Sequence, residues 1–324
     1  MSIKARIFRS SKRNFDCQRE DTKELVVAAA LAALLKEDHI VVGDWVDLTP
    51  PPKNDDEWVI TKVYPRKNGI FRNIPRENKK KFIASNVDVM LVVVSAGRPA
   101  YKRGLVDRYL IRSEFWDVPA YVVFNKMDLY DEAEFDLRFE ADRLNWLNVE
   151  CFEISAQQDD YQPRFLENGM KELREKLRGK TSVFLGHSGV GKSKLITELS
   201  GGKVNLLSGE LGKIGKGAHT TTWAELIDAE HFTLIDSPGV RSMSLSDLTK
   251  EELLQSFCDI QEFATKCQFA SNCGHAENSK GCFFEKLDKT KRENQLILSR
   301  LDSYKRVLEE VADIPDWQKK PSER

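Results

Sequence analysis

The stretch TSVFLGHSGVGKSKL, residues 181–195, contains the motif that decides the fold of this 324-residue chain. It combines an apolar run typical of a buried strand, the phosphate-loop pattern G-x-x-x-x-G-K-[ST] and the start of a helical stretch, in that order. In such a loop, glycines let backbone N–H groups approach phosphate oxygens, and the N-terminus of the following helix adds partial positive charge. The stretch therefore predicts an α/β domain that binds the phosphates of a nucleotide.

The positions of this loop have separate expected roles. Lys192 is expected to contact the β- and γ-phosphates, and the hydroxyl of Ser193 is expected to ligate the magnesium ion that accompanies them. The alternative is a glycine-rich turn without function, which the flanking strand and helix disfavour. The predicted phosphate-binding residues are Gly186, His187, Ser188, Gly189, Val190, Gly191, Lys192 and Ser193.

The motif NKMD predicts which base is bound. It begins at Asn125, directly after the apolar run AYVVF, and open α/β sheets place ligand-binding groups after the carboxyl ends of strands. Asp128 can accept from both the ring N–H and the exocyclic amine of guanine, Asn125 can bond the base edge, and Lys126 can lie along its plane. Adenine offers neither donor, so the motif predicts a guanine nucleotide. As a lone tetrapeptide it is equally compatible with an exposed turn.

Two further motifs complete the predicted pocket. Ser155 and Ala156 follow the apolar run VECFEI and are expected to offer a backbone N–H to the guanine oxygen. In DSPG, Asp236 suits a magnesium ligand through water, and the N–H of Gly239 suits the γ-phosphate. Each motif alone is also an ordinary turn. Because all four motifs follow strands of one α/β domain, together they predict a single GTP site.

The glycine-rich segment GELGKIGKGAHTTT, residues 209–222, lies between the phosphate loop and DSPG. One of its threonines is expected to bind magnesium and to order the segment around the γ-phosphate; Thr221 is preferred, and its two threonine neighbours remain open. Val240 follows DSPG and cannot orient a water molecule, so slow intrinsic turnover is expected. His219 is the nearest candidate for positioning that water, and a surface histidine without a catalytic role is equally compatible.

The order of these motifs is rotated relative to the usual GTPase. There the phosphate loop comes first and N-K-x-D and S-A come last, whereas here NKMD and S-A precede the loop. Joining the old termini and opening another loop preserves a packed core, because domain termini lie at the surface and often close together. We therefore expect a circularly permuted GTPase domain over residues 85–248, with strands and helices alternating as in a doubly wound sheet.

A cysteine cluster lies in the last segment, residues 249–324, which is mainly helical in pattern. The spacing suits one tetrahedral zinc ion, and four soft or borderline ligands leave no position for catalytic water, so a structural site is expected. The alternative is a set of core thiols beside an incidental histidine, and the three other cysteines are interpreted as ordinary thiols. The predicted zinc ligands are Cys267, Cys273, His275 and Cys282.

The leading segment, residues 1–84, combines short β-rich runs with turn signals, which indicates a small barrel. Residues 62–81 contain eight basic residues against one acid, which fits either contact with an RNA backbone or a solvated connector. Residues 26–38 are rich in alanine and leucine and are predicted to form one helix.

Composition limits the remaining possibilities. Lysine plus arginine total 50 and aspartate plus glutamate 51, so any contact with nucleic acid has to come from local patches. The longest apolar run, residues 25–35, is well below the roughly 20 residues of a membrane span, and the basic N-terminus has no apolar run with a cleavage site. We expect a cytoplasmic protein without membrane contact, in which six cysteines do not make a disulfide scaffold.

Taken together, the motifs resemble those of the RsgA/YjeQ family, circularly permuted GTPases that act on the small ribosomal subunit. The resemblance covers nearly the whole chain, and it implies an OB-fold barrel, a permuted P-loop GTPase domain and a helical zinc-binding domain. The matching features are Gly43-Asp44, residues 65–68, NKMD, S-A, GHSGVGKS, GAHTTT, DSPGVR and the pattern Cys-x5-Cys-x-His-x6-Cys.

The resemblance also implies a function. It implies that the protein assists late maturation of the small subunit, binds its rRNA, and hydrolyses GTP to GDP with stimulation by that subunit. Nothing in the sequence requires a dimer, so a monomer is expected. The match to HTTT favours His219 as the catalytic histidine. One departure is residues 26–38, where the family usually has a strand with basic residues. Two alternatives remain: a permuted GTPase of large-subunit assembly, and a nucleotide-gated RNA-binding module in which turnover is incidental.

Overall fold

The chain folds into a barrel, a central α/β sheet and a helical unit, which follow one another along the sequence. The described residues form thirteen strands and eight α-helices. The computed structural model describes residues 2–10, 14–37, 40–51, 57–74, 79–204, 224–236, 245, 247–269, 273–275 and 279–312.

The first five strands close into a barrel. They are β1 Ile3–Ser10, β2 Asn14–Arg19, β3 Leu25–Ala30, β4 Trp45–Thr49 and β5 Trp58–Val63. Their order is β1-β2-β3-β5-β4, and β4 pairs back onto β1, for example between Ala5 and Val46. Apolar side chains such as Ile7 and Ile60 fill the interior and have no exposed surface. The predicted OB-like barrel is therefore confirmed.

The prediction of one helix over residues 26–38 was wrong for its first part. Residues Leu25–Ala30 form strand β3, and only Ala32–Glu37 form a helix, α1. Strand β3 pairs with β2 on one side and with β5 on the other, where Ala28 faces Trp58. Alanine and leucine favour helices locally, but that preference amounts to less than about 1 kcal/mol per residue. Backbone pairing on both sides of the strand, which closes the barrel, outweighs it.

A hairpin leads from the barrel to the α/β sheet. It consists of β6 (Gly69–Ile74) and β7 (Lys79–Ser85). The buried carboxylate of Asp44 accepts from Arg66 Nε at 2.7 Å and from the Ser85 hydroxyl at 2.6 Å. Arg66 is one of the eight basic residues of the 62–81 stretch. This arginine is therefore part of an internal ion pair that ties the hairpin to the barrel.

The central sheet contains six strands and is predominantly parallel. Its strands are β8 Val89–Ser95, β9 Ala120–Asn125, β10 Glu150–Glu153, β11 Thr181–Leu185, β12 Glu225–Asp228 and β13 Thr233–Asp236. The order is β10-β9-β8-β11-β13-β12, with only β12 antiparallel to its neighbour. At Arg9 and Glu225, β12 also pairs with β1, so the barrel continues the sheet.

Helices cover both faces of this sheet, as a doubly wound fold requires. One face packs against α2 (Arg103–Trp116) and α3 (Leu137–Asn145), and the other packs against α4 (Met170–Leu177) and α5 (Lys192–Leu199). Because the strands are buried on both faces, they are continuous apolar runs such as VMLVVVS in β8.

The C-terminal helices form a separate core and pack against α2 and α3. They are α6 (Lys250–Gln255), α7 (Cys258–Ala264) and α8 (Arg292–Ala312). The buried carboxylate of Asp107 on α2 accepts from the Ser303 hydroxyl on α8 at 2.5 Å and pairs with Arg300 at 3.3 Å. In the part of the chain that the structure describes, we find no helix with the length and apolarity to cross a membrane.

Candidate nucleotide and zinc sites

The phosphate loop connects the end of β11 to the start of α5. Gly186, Gly189 and Gly191 all have positive φ, at 148°, 83° and 93°. A Cβ on Gly186 would lie 2.2 Å from the Val93 carbonyl oxygen, and one on Gly191 would lie 2.4 Å from the side-chain nitrogen of Asn125. The loop therefore needs glycine both for its backbone conformation and for its close contact with neighbouring strands.

The two polar side chains at the end of this loop begin α5. Lys192 donates from Nζ to the carbonyl oxygens of Gly186 and His187, both at 2.8 Å. Ser193 follows in the first turn, and both residues line the same cavity. The loop thus curls around its own lysine, and the ammonium group lies where the phosphates are expected.

Asn125 joins three of the four predicted motifs. It ends β9 and is 1% exposed. Its side-chain amide donates to the Val190 carbonyl at 2.9 Å, and its side-chain oxygen accepts from the Ala156 N–H at 3.0 Å. NKMD, the phosphate loop and S-A are therefore cross-linked through one side chain. Sequence reasoning assigned Asn125 and Ala156 only to guanine, and those contacts remain predictions.

Ser155 orients the carboxylate proposed to recognise the base. Its hydroxyl donates to Asp128 Oδ1 at 2.6 Å, and Ser155 itself is 2% exposed while Asp128 is exposed. Lys126 adopts a left-handed backbone conformation with φ 64° and donates to the Arg98 carbonyl at 2.8 Å. Because the Ser155 hydroxyl bonds Oδ1 and the Asp128 carboxylate is exposed, Oδ2 is accessible to a ligand or to solvent.

One cavity of about 880 Å³ collects these groups. That volume lies within the usual range of ligand pockets, about 300–1,000 Å³. Asp236, at the end of β13 and 8% exposed, lies in the same wall. The predicted residues that line the cavity are Asn125, Lys126, Ala156, Gly186, His187, Ser188, Gly189, Gly191, Lys192, Ser193 and Asp236.

Some predicted site residues are placed elsewhere. Val190 is 3% exposed and packs below the loop, while Asp128 and Ser155 lie beside the cavity rather than in its wall. The predicted site residues His219, Thr221 and Gly239 lie outside the described residues.

Some of the residues that line the cavity belong to none of the predicted motifs, and two of them lie on α2. Leu105 and Tyr109 on α2 line the cavity beside the phosphate loop. Burial raises the pKa of Tyr109, although a hydrogen bond with the backbone of Gly186 opposes that shift. No motif marks either position, because only the packing of α2 against the central sheet brings them to the loop.

The cysteine cluster is also assembled. The ligand atoms of Cys267, Cys273, His275 and Cys282 all lie within 4.8 Å of one another, and all four residues are buried. His275 Nδ1 lies 3.7 Å from the sulfurs of both Cys267 and Cys282. Ligand atoms around one tetrahedral zinc ion are separated by about 3.5–3.8 Å, given Zn–S and Zn–N bonds of about 2.3 and 2.0 Å. The geometry therefore fits zinc.

Burial shifts the pKa of two of these ligands. It raises the pKa of Cys267 to about 11 and lowers the pKa of His275, with nearby Lys305 adding to the second effect. A neutral imidazole is the form that binds metal, while the thiols have to lose their protons to a cation. The cluster is thus suited to a metal ion that binds the neutral imidazole and displaces the protons of the cysteine thiols.

The fold and the cavity define a class: a P-loop protein with a guanine-type base motif, in the motif order of a circular permutation. A family model described as RsgA GTPase matches residues 63–246, and a second, described as 50S ribosome-binding GTPase, matches residues 181–320. The chain belongs to the RsgA GTPase family and is a GTP hydrolase.

Relatives and solved structures agree with this assignment. The small ribosomal subunit biogenesis GTPase RsgA of Flavobacterium psychrophilum is 30% identical over 83% of this chain and 80% of its own length. The protein of the same name from Chlorobaculum tepidum is 33% identical over 85% and 86%. The crystal structure of YjeQ from Thermotoga maritima covers 97% of this chain and 100% of its own, with 26% identity and a TM-score of 0.72. YloQ, a circularly permuted GTPase, shares the fold with a TM-score of 0.68 at 24% identity over 97% of each chain.

Proposed function

We propose that this GTPase binds the small ribosomal subunit, assists its late maturation, and hydrolyses GTP to GDP and phosphate faster when bound to it. The observation that carries the proposal is the single cavity in which the phosphate loop, NKMD and S-A meet, with Asn125 as their link. The family and the names of relatives that align over most of the chain support the choice of partner.

In the proposed site, guanine binds at the NKMD end and the triphosphate binds at the phosphate loop. Asp128 accepts from guanine, and Lys192 contacts the phosphates. Ser193 and, through water, Asp236 hold magnesium, which neutralises phosphate charge when bound. Three further roles are proposed outside the described residues: Thr221 on magnesium, the N–H of Gly239 on the γ-phosphate and His219 on the attacking water.

We also propose a division of the chain into residues 1–84, 85–248 and 249–324, with one structural zinc ion in the last unit. The cysteine–histidine geometry supports the ion. A monomer that contacts rRNA, with a cytoplasmic location, completes the proposal. Exposed Arg72, Lys80 and Lys81 on the β6–β7 hairpin support an RNA contact, because basic side chains bind phosphate backbones.

Purified small and large ribosomal subunits test the partner directly. GTP hydrolysis should accelerate with small subunits and not with large ones. Equal or absent stimulation would count against the proposal, and stimulation by large subunits alone would favour the alternative of large-subunit assembly, which the second family description motivates. Replacement His219→Ala separates an enzyme from a nucleotide-gated RNA-binding module, because unchanged stimulated turnover would remove the proposed catalytic residue.

Base recognition has its own test. The substitution Asp128→Asn should weaken GTP binding by about a hundredfold and improve binding of xanthosine triphosphate, because the amide can donate to the xanthine oxygen. The control is Glu134→Gln, which removes an exposed carboxylate in the segment after NKMD. An unchanged base preference in the Asp128 variant would remove NKMD from the site.

A further inference from the structure

The segment between β8 and α2, residues 96–102, contacts the phosphate loop although it belongs to none of the motifs. Pro99 Cδ lies 3.7 Å from where a Cβ on Gly189 would be, and the Arg98 carbonyl accepts from Lys126. At the end of the segment, Lys102 Nζ lies 3.3 Å from His187 Nε2. The segment therefore brings an additional cation to the phosphate end of the cavity.

The bond to His187 has a defined direction. His187 Nδ1 lies 2.8 Å from the Ser188 carbonyl oxygen, which only accepts, so Nδ1 carries the proton. Nε2 of a neutral ring is then an acceptor, and the ammonium of Lys102 donates to it. The carbonyl of the same histidine accepts from Lys192 at 2.8 Å. One loop residue thus contacts two ammonium groups, and both are close to the expected phosphates.

The neighbouring cations of α2 are neutralised differently. Arg103 pairs with Glu140, and Arg108 pairs with Glu310. Among the described residues, no carboxylate lies within ion-pair distance of Lys102, and its side chain is exposed. A neutral imidazole is a weaker partner for an ammonium than an anionic oxygen, because only the anion adds the attraction between opposite charges to the hydrogen bond.

We propose that Lys102 is a further phosphate-binding residue, which exchanges its bond to His187 for an oxygen of the β- or γ-phosphate of bound GTP. This inference rests on the proposed nucleotide site. The triphosphate adds negative charge at the position where two cations, Lys102 and Lys192, already converge on His187. Lys102 then favours the triphosphate over the diphosphate, since the γ-phosphate adds charge at its end of the cavity.

Affinities for fluorescent GTP and GDP analogues test the proposal. Lys102→Ala should weaken GTP by about tenfold and GDP by less, and it should reduce the salt dependence of GTP binding. Lys102→Arg should retain most of the affinity because it keeps the charge. The control is Lys203→Ala, because Lys203 follows α5, is also exposed, and pairs with Glu230 rather than with the phosphate loop. Equal affinities for the Lys102→Ala and Lys203→Ala proteins would overturn the proposal.

A double-mutant cycle separates direct binding from an effect through the loop. If Lys102 binds phosphate itself, Lys102→Ala weakens GTP in a His187→Ala background as it does in the wild type. If Lys102 acts only by holding His187, the effect disappears in that background and the proposal is wrong. An error in the proposed GTP site gives a different result from an error in the role of Lys102. In that case the wild-type protein would show no preference for GTP over ATP, and Lys192→Ala would not weaken GTP binding.

Discussion

The nucleotide cavity and the cysteine cluster are held together by different forces. In the cavity, the protein supplies its own links: Asn125 bonds two other loops, and Lys192 bonds the carbonyls of its own loop. In the cluster, the four ligand atoms lie within 4.8 Å of one another. The contacts of His275 with the sulfurs of Cys267 and Cys282 are both as long as 3.7 Å. We therefore expect the cavity frame to persist without its ligand, and the cluster to depend on a bound metal ion.

Helix α2 lies between these two regions. Its residues Leu105 and Tyr109 line the cavity, and Asp107 holds α8 of the C-terminal unit. The same carboxylate accepts from Arg143 at 2.5 Å, so it serves two buried arginines. Asp107 and its partners therefore connect the helix that lines the cavity to the C-terminal helices.

Removal of the metal should have the largest effect. Cys282→Ser, or chelation, should abolish zinc binding and unfold the helices around the cluster, because structural zinc contributes apparent binding energies of about 10–16 kcal/mol in small zinc-binding peptides. The measurements are zinc content and thermal unfolding, with Cys258→Ser at an exposed thiol as the control. The variant should still bind GTP through the cavity. Retention of one zinc per chain in the Cys282 variant would contradict the assignment.

Removal of the charge at Asp107 should have the next largest effect. Asp107→Asn removes the anion that Arg143 and Arg300 share. Arg143 then retains Glu140 at 4.0 Å, and Arg300 retains Asp259 at 3.0 Å. Breaking the fully buried pair with Arg143 should cost about 3 kcal/mol of unfolding free energy. Urea denaturation measures the loss. Asp302→Asn is the control, because Asp302 makes a half-exposed pair with Arg306 and should change stability by less than about 0.5 kcal/mol. Similar losses in both variants would show that the Asp107 network does not hold the units together.

Loss of the cross-link in the cavity should have a smaller effect on stability and a specific effect on binding. Asn125→Ala leaves the Val190 carbonyl and the Ala156 N–H without their partner, at about 1–3 kcal/mol. We expect GTP affinity to fall at least tenfold, measured by fluorescence titration. Asn145→Ala at the end of α3 is a control on the same domain. Unchanged affinity would mean that the loops hold their positions without Asn125.

The smallest effect concerns thiol reactivity. Burial raises the pKa of Cys17 and of Cys151 to about 12. Because only the thiolate reacts, both thiols should be alkylated at pH 8 far more slowly than the exposed Cys258. Mass spectrometry after alkylation should find Cys258 modified in the native protein, and the cluster cysteines modified in addition after chelation. Fast labelling of Cys17 in the folded protein would contradict its burial.

Sequence patterns predicted the strands and motifs well where the signal is local. Buried parallel strands are continuous apolar runs, and a phosphate loop is a contiguous segment, so both were identified without the structure. Residues 26–30 were predicted as helix because their strand conformation depends on β2 and β5, which lie elsewhere in the chain. No sequence signal marks the place of Tyr109 in the cavity, the two hydrogen bonds of the Asn125 side chain, or the two ion pairs of Asp107. Each of these contacts forms only when elements distant in the sequence pack together.

The sequence by itself determined the chemistry and its order: glycines where a Cβ would collide with a neighbouring strand, a carboxylate suited to guanine, and four metal ligands at compatible spacing. The tertiary structure alone decided how these pieces are joined, through Asn125 between the loops and Asp107 between the units. The physical reason is the range of the interactions. Backbone conformation and ligand chemistry belong to single residues, whereas cross-links between loops and helices exist only after the sheet brings them together.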